Sequence, residues 1–463
     1  MNIWITKTPA DISIASEHTQ LKKNLTALDL ASLGIGAVVG TGIFVATGQG
    51  AQLAGPGIIL SFIVAAITCG FCALTYSELA CMFPVAGSTY SYTYVAFGEV
   101  IAWIIGWDLM FEYLVAASAV ASGWSSTFAG LIQGAGVTLP KALLTSPLQG
   151  GIIDLPAVVI TLLITWILFI GIRESAKINN IIVVLKILVI LLFVFLGMRH
   201  INLSNLKPFM PYGWKGVMAG AAIIFFAYIG FDSISTAAEE TKNPKRDIPL
   251  GLMLCLGVVI ILYVSVAFVL TGVVPYKEID VNNALPSALG RIGIRWGGAL
   301  VATGAIIGMI STILVTLYGQ IRIFMVMARD GLLPAPFAKV HPRHMTPHIC
   351  TWITGIATAL VAGIFPISKT IDLCNMGTLF AFVVVSVGVI VLRKTRPEVE
   401  RRFRVPGVPF TPLITIAFCF YLMISLPGVT WIQFGIWLLV GAGIYFLYGV
   451  RHSKLQKRED AIS

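Results

Sequence analysis

Charge is scarce in this chain. Asp, Glu, Lys and Arg make up 11% of its 463 residues, where a soluble domain carries about 25%. That shortage excludes a soluble domain of any size. Histidine is rarer still. His18, His200, His341, His344, His348 and His452 all lie at or near loops or termini. No His-rich or nucleophile–base constellation is at hand, so the chain is expected to catalyse no reaction and to need no cofactor or metal. The N-terminus up to about residue 25 has no apolar signal-peptide core. The seven cysteines fall mostly in apolar runs. Even the close pair Cys69 and Cys72 is expected to pack rather than to bind metal, and no disulfide framework is expected.

What is abundant is apolar: 57% of residues are hydrophobic and the mean hydropathy is +0.90. Twelve apolar segments can be counted, at about 28–53, 58–82, 100–127, 153–172, 178–198, 214–238, 250–274, 297–327, 348–366, 371–392, 409–427 and 429–449. They are called segments 1 to 12 below. A helix needs roughly 20 apolar residues to cross a bilayer, so the fold class is an all-α polytopic membrane protein with twelve transmembrane helices. An even number puts both termini on one side. The loops on that side, with the termini, hold 22 Lys and Arg, and the opposite loops hold 8. By the positive-inside rule both termini are cytoplasmic. The net charge of +10 is then a topology signal, with some attraction to anionic lipid headgroups, and not a sign of nucleic acid.

Two segments are interrupted where a plain anchor would be continuous. Segment 1 carries Gly34, Gly36, Gly40 and Gly42 around Thr41, although glycine costs about 1 kcal/mol against alanine in a helix. Segment 6 carries Phe226-Ala227-Tyr228-Ile229-Gly230-Phe231-Asp232. Small residues also serve close helix packing. Paired interruptions, however, mark the binding site of transporters whose helices unwind at mid-membrane. The two breaks lie five segments apart, an odd number, so a second half would run inverted relative to the first. Segments 11 and 12 fall outside that symmetry.

Charges also stand inside the segments, where insertion costs about 2.5–3.5 kcal/mol each. Asp108 and Glu112 are one turn apart in segment 3, Asp232 follows the second break, and Lys186 lies within segment 5. Fixed ion pairing would explain them, and so would proton exchange during transport. Ser311, Thr312 and Thr316 add hydroxyls to segment 8, where bonding back to the i−4 carbonyl is the ordinary alternative.

These residues resemble the amino acid–polyamine–organocation superfamily of transporters. The matching stretches are Gly36–Phe44, the turn Pro84-Val85-Ala86-Gly87 with the following Ser/Tyr residues in the loop after segment 2, Phe226–Asp232 running into Glu239-Glu240-Thr241-Lys242-Asn243-Pro244, and Arg329-Asp330-Gly331-Leu332-Leu333-Pro334. Trp107-Asp108, Glu112-Tyr113 and Tyr228–Asp232 look closest to the cationic amino acid transporter branch and its bacterial relatives. The resemblance covers nearly the whole chain. It implies a five-plus-five inverted repeat with discontinuous helices 1 and 6, plus two C-terminal helices. The implied divisions are a cytoplasmic segment 1–25, a transporter domain 26–449 (repeats 28–198 and 214–392, extra helices 409–449) and a cytoplasmic tail 450–463.

Carried over to this sequence, the resemblance implies that the backbone of Gly40, Thr41 and Gly42 receives the carboxylate of an L-amino acid. Helix N-termini suit an anion. The carbonyls of Val38, Phe226 and Ile229 receive the α-ammonium, and Phe226 closes over the substrate unless it is simply a core residue. Lys186 takes the place of a sodium ion between segments 1 and 8, beside Ser311 and Thr312, which argues for proton coupling. Glu112 and Asp232 serve either a cationic substrate or proton binding, and Thr316 leaves room for a long side chain. The implied activity is secondary-active, proton-coupled uptake of a cationic or small neutral amino acid by alternating access. The expected location is the cell membrane, as in a bacterial inner membrane. An amino acid or polyamine exchanger of the same fold is the alternative, and a channel is the other-class alternative. A small membrane subunit is left open.

Overall fold

A computed structural model describes residues 3–8, 24–83, 87–171, 176–344, 346–401 and 403–460. Most of the N-terminal segment with His18, residues 84–86 of the expected turn, Arg173, Arg402, the end of the C-terminal tail and the side chains of Lys177 and Glu239 lie outside the described residues. Among the described residues the chain is helical, with no strand. Eight helices are long and apolar enough to cross a membrane, and four shorter apolar helices stand beside them, at Ala27–Val38, Leu155–Ile170, His348–Ile364 and Phe410–Ile424. The twelve apolar segments thus become two length classes. Segment 1 is cut by its break, and its second part runs on through a tight turn at Gly55–Gly57 into segment 2. Segments 4, 9 and 11 form helices of only 16, 17 and 15 residues.

Helix ends follow local chemistry. Thr26 opens the first helix with a capping box: its hydroxyl accepts the Asp29 N–H, while the Asp29 carboxylate accepts the Thr26 N–H at 2.9 Å. Asp154 caps Leu155–Ile170 by accepting the Ala157 N–H at 3.3 Å. Gly171 closes that helix at φ 86°, a left-handed position that suits glycine. One expectation is corrected here. The Ser/Tyr-rich stretch after Gly87 is not a loop but the helix Ser88–Phe97. Its Tyr90, Tyr92 and Tyr94 are fully buried, and its polar composition hides it from a search for apolar runs.

Segments 1, 2, 6 and 7 pack against one another, and segments 3, 4, 8, 9 and 10 form a second group. Segment 5 leans on segments 1, 7 and 8. Phe382 of segment 10 joins the groups, with ring centroids 5.3 Å from Tyr76, 5.4 Å from Phe231 and 6.0 Å from Phe225. Segment 12 is tied to segment 3 by stacked Trp107 and Trp437, each donating its indole N–H to the other's carbonyl at 2.9 and 3.2 Å.

Candidate functional site

The two glycine-marked interruptions are real breaks. In segment 1 the helix Ala27–Val38 ends at Val39, which is extended, and the chain re-enters a helix through a π-helical turn, Gly42–Ala46. The first bond of the new helix runs from the Phe44 N–H to the Gly40 carbonyl at 3.4 Å. The N–H groups of Thr41, Gly42 and Ile43 therefore belong to a first turn, and among the described residues no preceding carbonyl accepts them. The Thr47 hydroxyl steadies the wide turn by donating to the Ile43 carbonyl at 2.8 Å. In segment 6 the helix Gly213–Ile224 tightens to a 3-10 turn over Phe225–Tyr228, Ile229 is extended, and Gly230 sits at φ 114°. That backbone conformation is open to glycine and strained for other residues.

The breaks touch at their glycines. A Cβ at Gly42 would overlap the backbone of Ala227, and a Cβ at Gly230 would come within 3.1 Å of the Ala37 carbonyl carbon. The glycines permit a backbone-to-backbone crossing of the two segments, and this is why alanine would not serve at either position. Val38, Gly40, Thr41, Gly42, Phe226 and Ile229 are gathered at this crossing. The Val38 carbonyl already accepts the Tyr263 hydroxyl of segment 7 at 3.1 Å, and the Phe226 carbonyl accepts the Ile229 N–H at 3.3 Å. Thr41 turns its hydroxyl to the Met309 sulfur at 3.1 Å and the Val120 carbonyl at 3.4 Å. Tyr263, Val120, Met309 and Ala227 went unnoticed in the sequence, where nothing sets them apart from ordinary helix residues.

Lys186 is fully buried and reaches across from segment 5. Its ammonium donates to the Gly36 carbonyl at 2.6 Å and to the Thr312 hydroxyl at 3.1 Å, which ties segment 1 to segment 8. A charge-assisted bond of that length is among the stronger ones. Gly308 makes room for the lysine stem: a Cβ there would meet Cε at 3.0 Å and Cγ at 3.1 Å. Ser311 and Thr312 are both buried beside it. Thr312 also bonds back to the Gly308 carbonyl at 3.2 Å. Thr316 bonds back to the Thr312 carbonyl at 2.8 Å, the ordinary behaviour of a helix threonine.

The carboxyls form a separate cluster. Glu112 and Asp232 are buried and within electrostatic reach of each other. Tyr76, Tyr113 and Cys374 are close enough to feel both. Neither carboxylate enters an ion pair among the described residues. The arrangement therefore offers a close backbone crossing with the donors of a first helical turn, an ammonium bridge between two segments, and a group of acids.

The amino acid permease family model matches residues 25–447. The chain is 48% identical over 451 residues to the branched-chain amino acid permease BcaP of Bacillus subtilis, covering 96% of this chain and 97% of that protein. It is equally similar, 48% over 449 residues with the same coverage of 96% and 97%, to the methylthioribose transporter of Bacillus subtilis. Against the vacuolar cationic amino acid transporter 4 of Arabidopsis thaliana the identity is 36% over 388 residues, covering 82% of this chain and 64% of that protein.

Proposed function

The chain belongs to the amino acid permease family, and from that premise we propose that it is a secondary-active transporter carrying an L-amino acid with a proton by alternating access. The proposal includes twelve spans, a five-plus-five inverted repeat followed by two extra helices, and cytoplasmic termini in a bacterial cell membrane. The observation that carries it is the crossing of two broken segments with Lys186 bridging segments 1 and 8 beside it. The backbone N–H groups at Gly40, Thr41 and Gly42 would take the substrate carboxylate. The carbonyls of Val38, Phe226 and Ile229 would take the ammonium, with Phe226 closing the site. A carbonyl has two lone pairs, so the Tyr263 bond to Val38 leaves one for substrate. Lys186 would carry the coupling charge: protonated, it holds segment 1 to segment 8, and neutral, it weakens the contact.

Two side-chain classes follow from different observations. Relatives named for branched-chain substrates favour a neutral aliphatic amino acid. The buried Glu112 and Asp232, together with relatives named for cationic substrates, favour lysine or arginine. The test is uptake of a labelled amino acid panel into sodium-free proteoliposomes, with acid outside or with equal pH and unlabelled substrate inside. A symporter accumulates substrate on the acid gradient alone. An exchanger takes up label only against internal substrate, and that outcome, or a strict need for sodium, would overturn the proposal.

A further inference from the structure

Asp108 has a stranger setting than the acids assigned above. It lies in segment 3 and is fully buried, and neither of its carboxyl oxygens has a hydrogen-bond partner among the described residues. One turn further along, the Glu112 Oε2 is also without a partner. Both acids face the same spot on segment 10. A Cβ at Gly377 would meet Asp108 Oδ1 at 2.9 Å and Glu112 Cβ at 3.6 Å. Gly377 thus leaves room for two carboxyls on one helix face, where like charges four residues apart repel.

Among the described residues, the groups facing the pair carry no compensating cation. Glu112 is the charged group acting on Asp108, Cys374 of segment 10 borders both acids, and Asp232 acts on Glu112 from segment 6. Among the described residues no lysine or arginine forms an ion pair with any of the three acids. A buried charge without a partner is costly, and a bound proton removes it. With a rise of about 1.5 Å per residue, Asp108 stands about 6 Å from Glu112 along the helix axis, on the side towards Glu99.

We propose that Asp108 is a further proton-binding site in the acid cluster with Glu112 and Asp232. The step is the binding and release of one proton at the Asp108 carboxyl, with no change of oxidation state. The inference rests on the proton-coupled reading above. It adds a proton-binding residue to that reading.

The test is simultaneous measurement of labelled amino acid and of internal pH, by a trapped dye, in proteoliposomes of wild type, Asp108→Asn and Asp108→Glu. With one pH unit of gradient and one proton per substrate, the limit is about tenfold accumulation. Wild type is expected to approach that limit. Asp108→Asn is expected to fall to about onefold while still exchanging internal for external substrate, and Asp108→Glu to restore accumulation with a shifted pH profile. Accumulation and a pH profile in Asp108→Asn equal to those of wild type would overturn the proposal. So would loss of exchange and accumulation together in both variants, which is the mark of a packing role. Absence of proton entry with substrate in wild type would instead defeat the proton-coupled reading itself.

Discussion

Replacing Gly42 by alanine strikes the point where the two broken segments touch. The added methyl would overlap Ala227 at its Cα, Cβ and backbone nitrogen. Two of these are backbone atoms of a buried turn and the third is fixed directly to it, so they cannot swing aside as a long side chain would. Overpacking of this kind costs about 1–3 kcal/mol. Alanine also gains up to about 1 kcal/mol of helix propensity over glycine, but that gain is present whether or not the crossing is closed. It therefore cancels from the difference between closed and open arrangements. If substrate binds only the closed crossing, apparent affinity falls with the closed fraction, by about 5- to 150-fold at 1.4 kcal/mol per tenfold. Gly70→Ala is the matched control, since a Cβ there meets nothing within 4 Å. The assay is calorimetric or radioligand binding on detergent-purified protein, with the thermal midpoint recorded for each variant. An affinity for Gly42→Ala within twofold of wild type, at an unchanged midpoint, would refute the idea that the crossing is the ligand site.

Other predictions follow from the same structure. Lys186→Ala removes the bridge between the Gly36 carbonyl and the Thr312 hydroxyl and should abolish the pH dependence of uptake; an unchanged profile would sink the coupling role. Glu78 is fully buried and accepts Arg393 at 2.6 and 2.9 Å and the Val405 N–H at 2.7 Å. Glu78→Gln should cost about 3 kcal/mol, the low end for a broken buried pair because Arg393 is partly exposed, visible as a lower thermal midpoint. At the loop after segment 8, burial and then the charges of His344, His348 and Arg343 hold His341 below its ordinary 6.5. Its Nδ1 also accepts the N–H groups of Arg343 and His344 at 3.2 and 3.3 Å. The folded turn resists the proton that the unfolded chain takes up below 6.5, so its stability is present above that pH and declines as pH falls. Imidazole titration by NMR should give His341 a midpoint under 6.5, and one above it would contradict this.

Much of the architecture was legible because membrane insertion writes itself into composition. Apolar runs became helices, and the glycines at 40, 42 and 230 marked the breaks, since only a special backbone geometry makes so many weak helix formers worthwhile. Other parts were hidden for physical reasons. The helix Ser88–Phe97 is stabilised by buried tyrosines rather than by an apolar run. Arg393 and Arg401 are only loop charges in the sequence, until folding brings Glu78, more than 300 residues away from Arg393, to the same place. There the Arg401 guanidinium donates to the carbonyls of Leu392 and Arg396, both at 2.8 Å. The Tyr263 bond to Val38 and the facing of Asp108 with Gly377 are likewise matters of three-dimensional adjacency, which no local pattern encodes. Helix length was less legible: segments 4, 9 and 11 are apolar runs of about 19–20 residues, and their helices are 15–17 residues long.

The central claim is that the crossing of segments 1 and 6 holds the amino acid. A substrate-bound structure by cryo-electron microscopy tests it most directly. The account predicts the carboxylate within about 3.2 Å of the N–H groups at Gly40–Gly42, and the ammonium against the carbonyl of Val38, Phe226 or Ile229. A substrate seated elsewhere, for example between segments 3 and 10, with Gly42 still closed on Ala227 and no ligand against either, would contradict it.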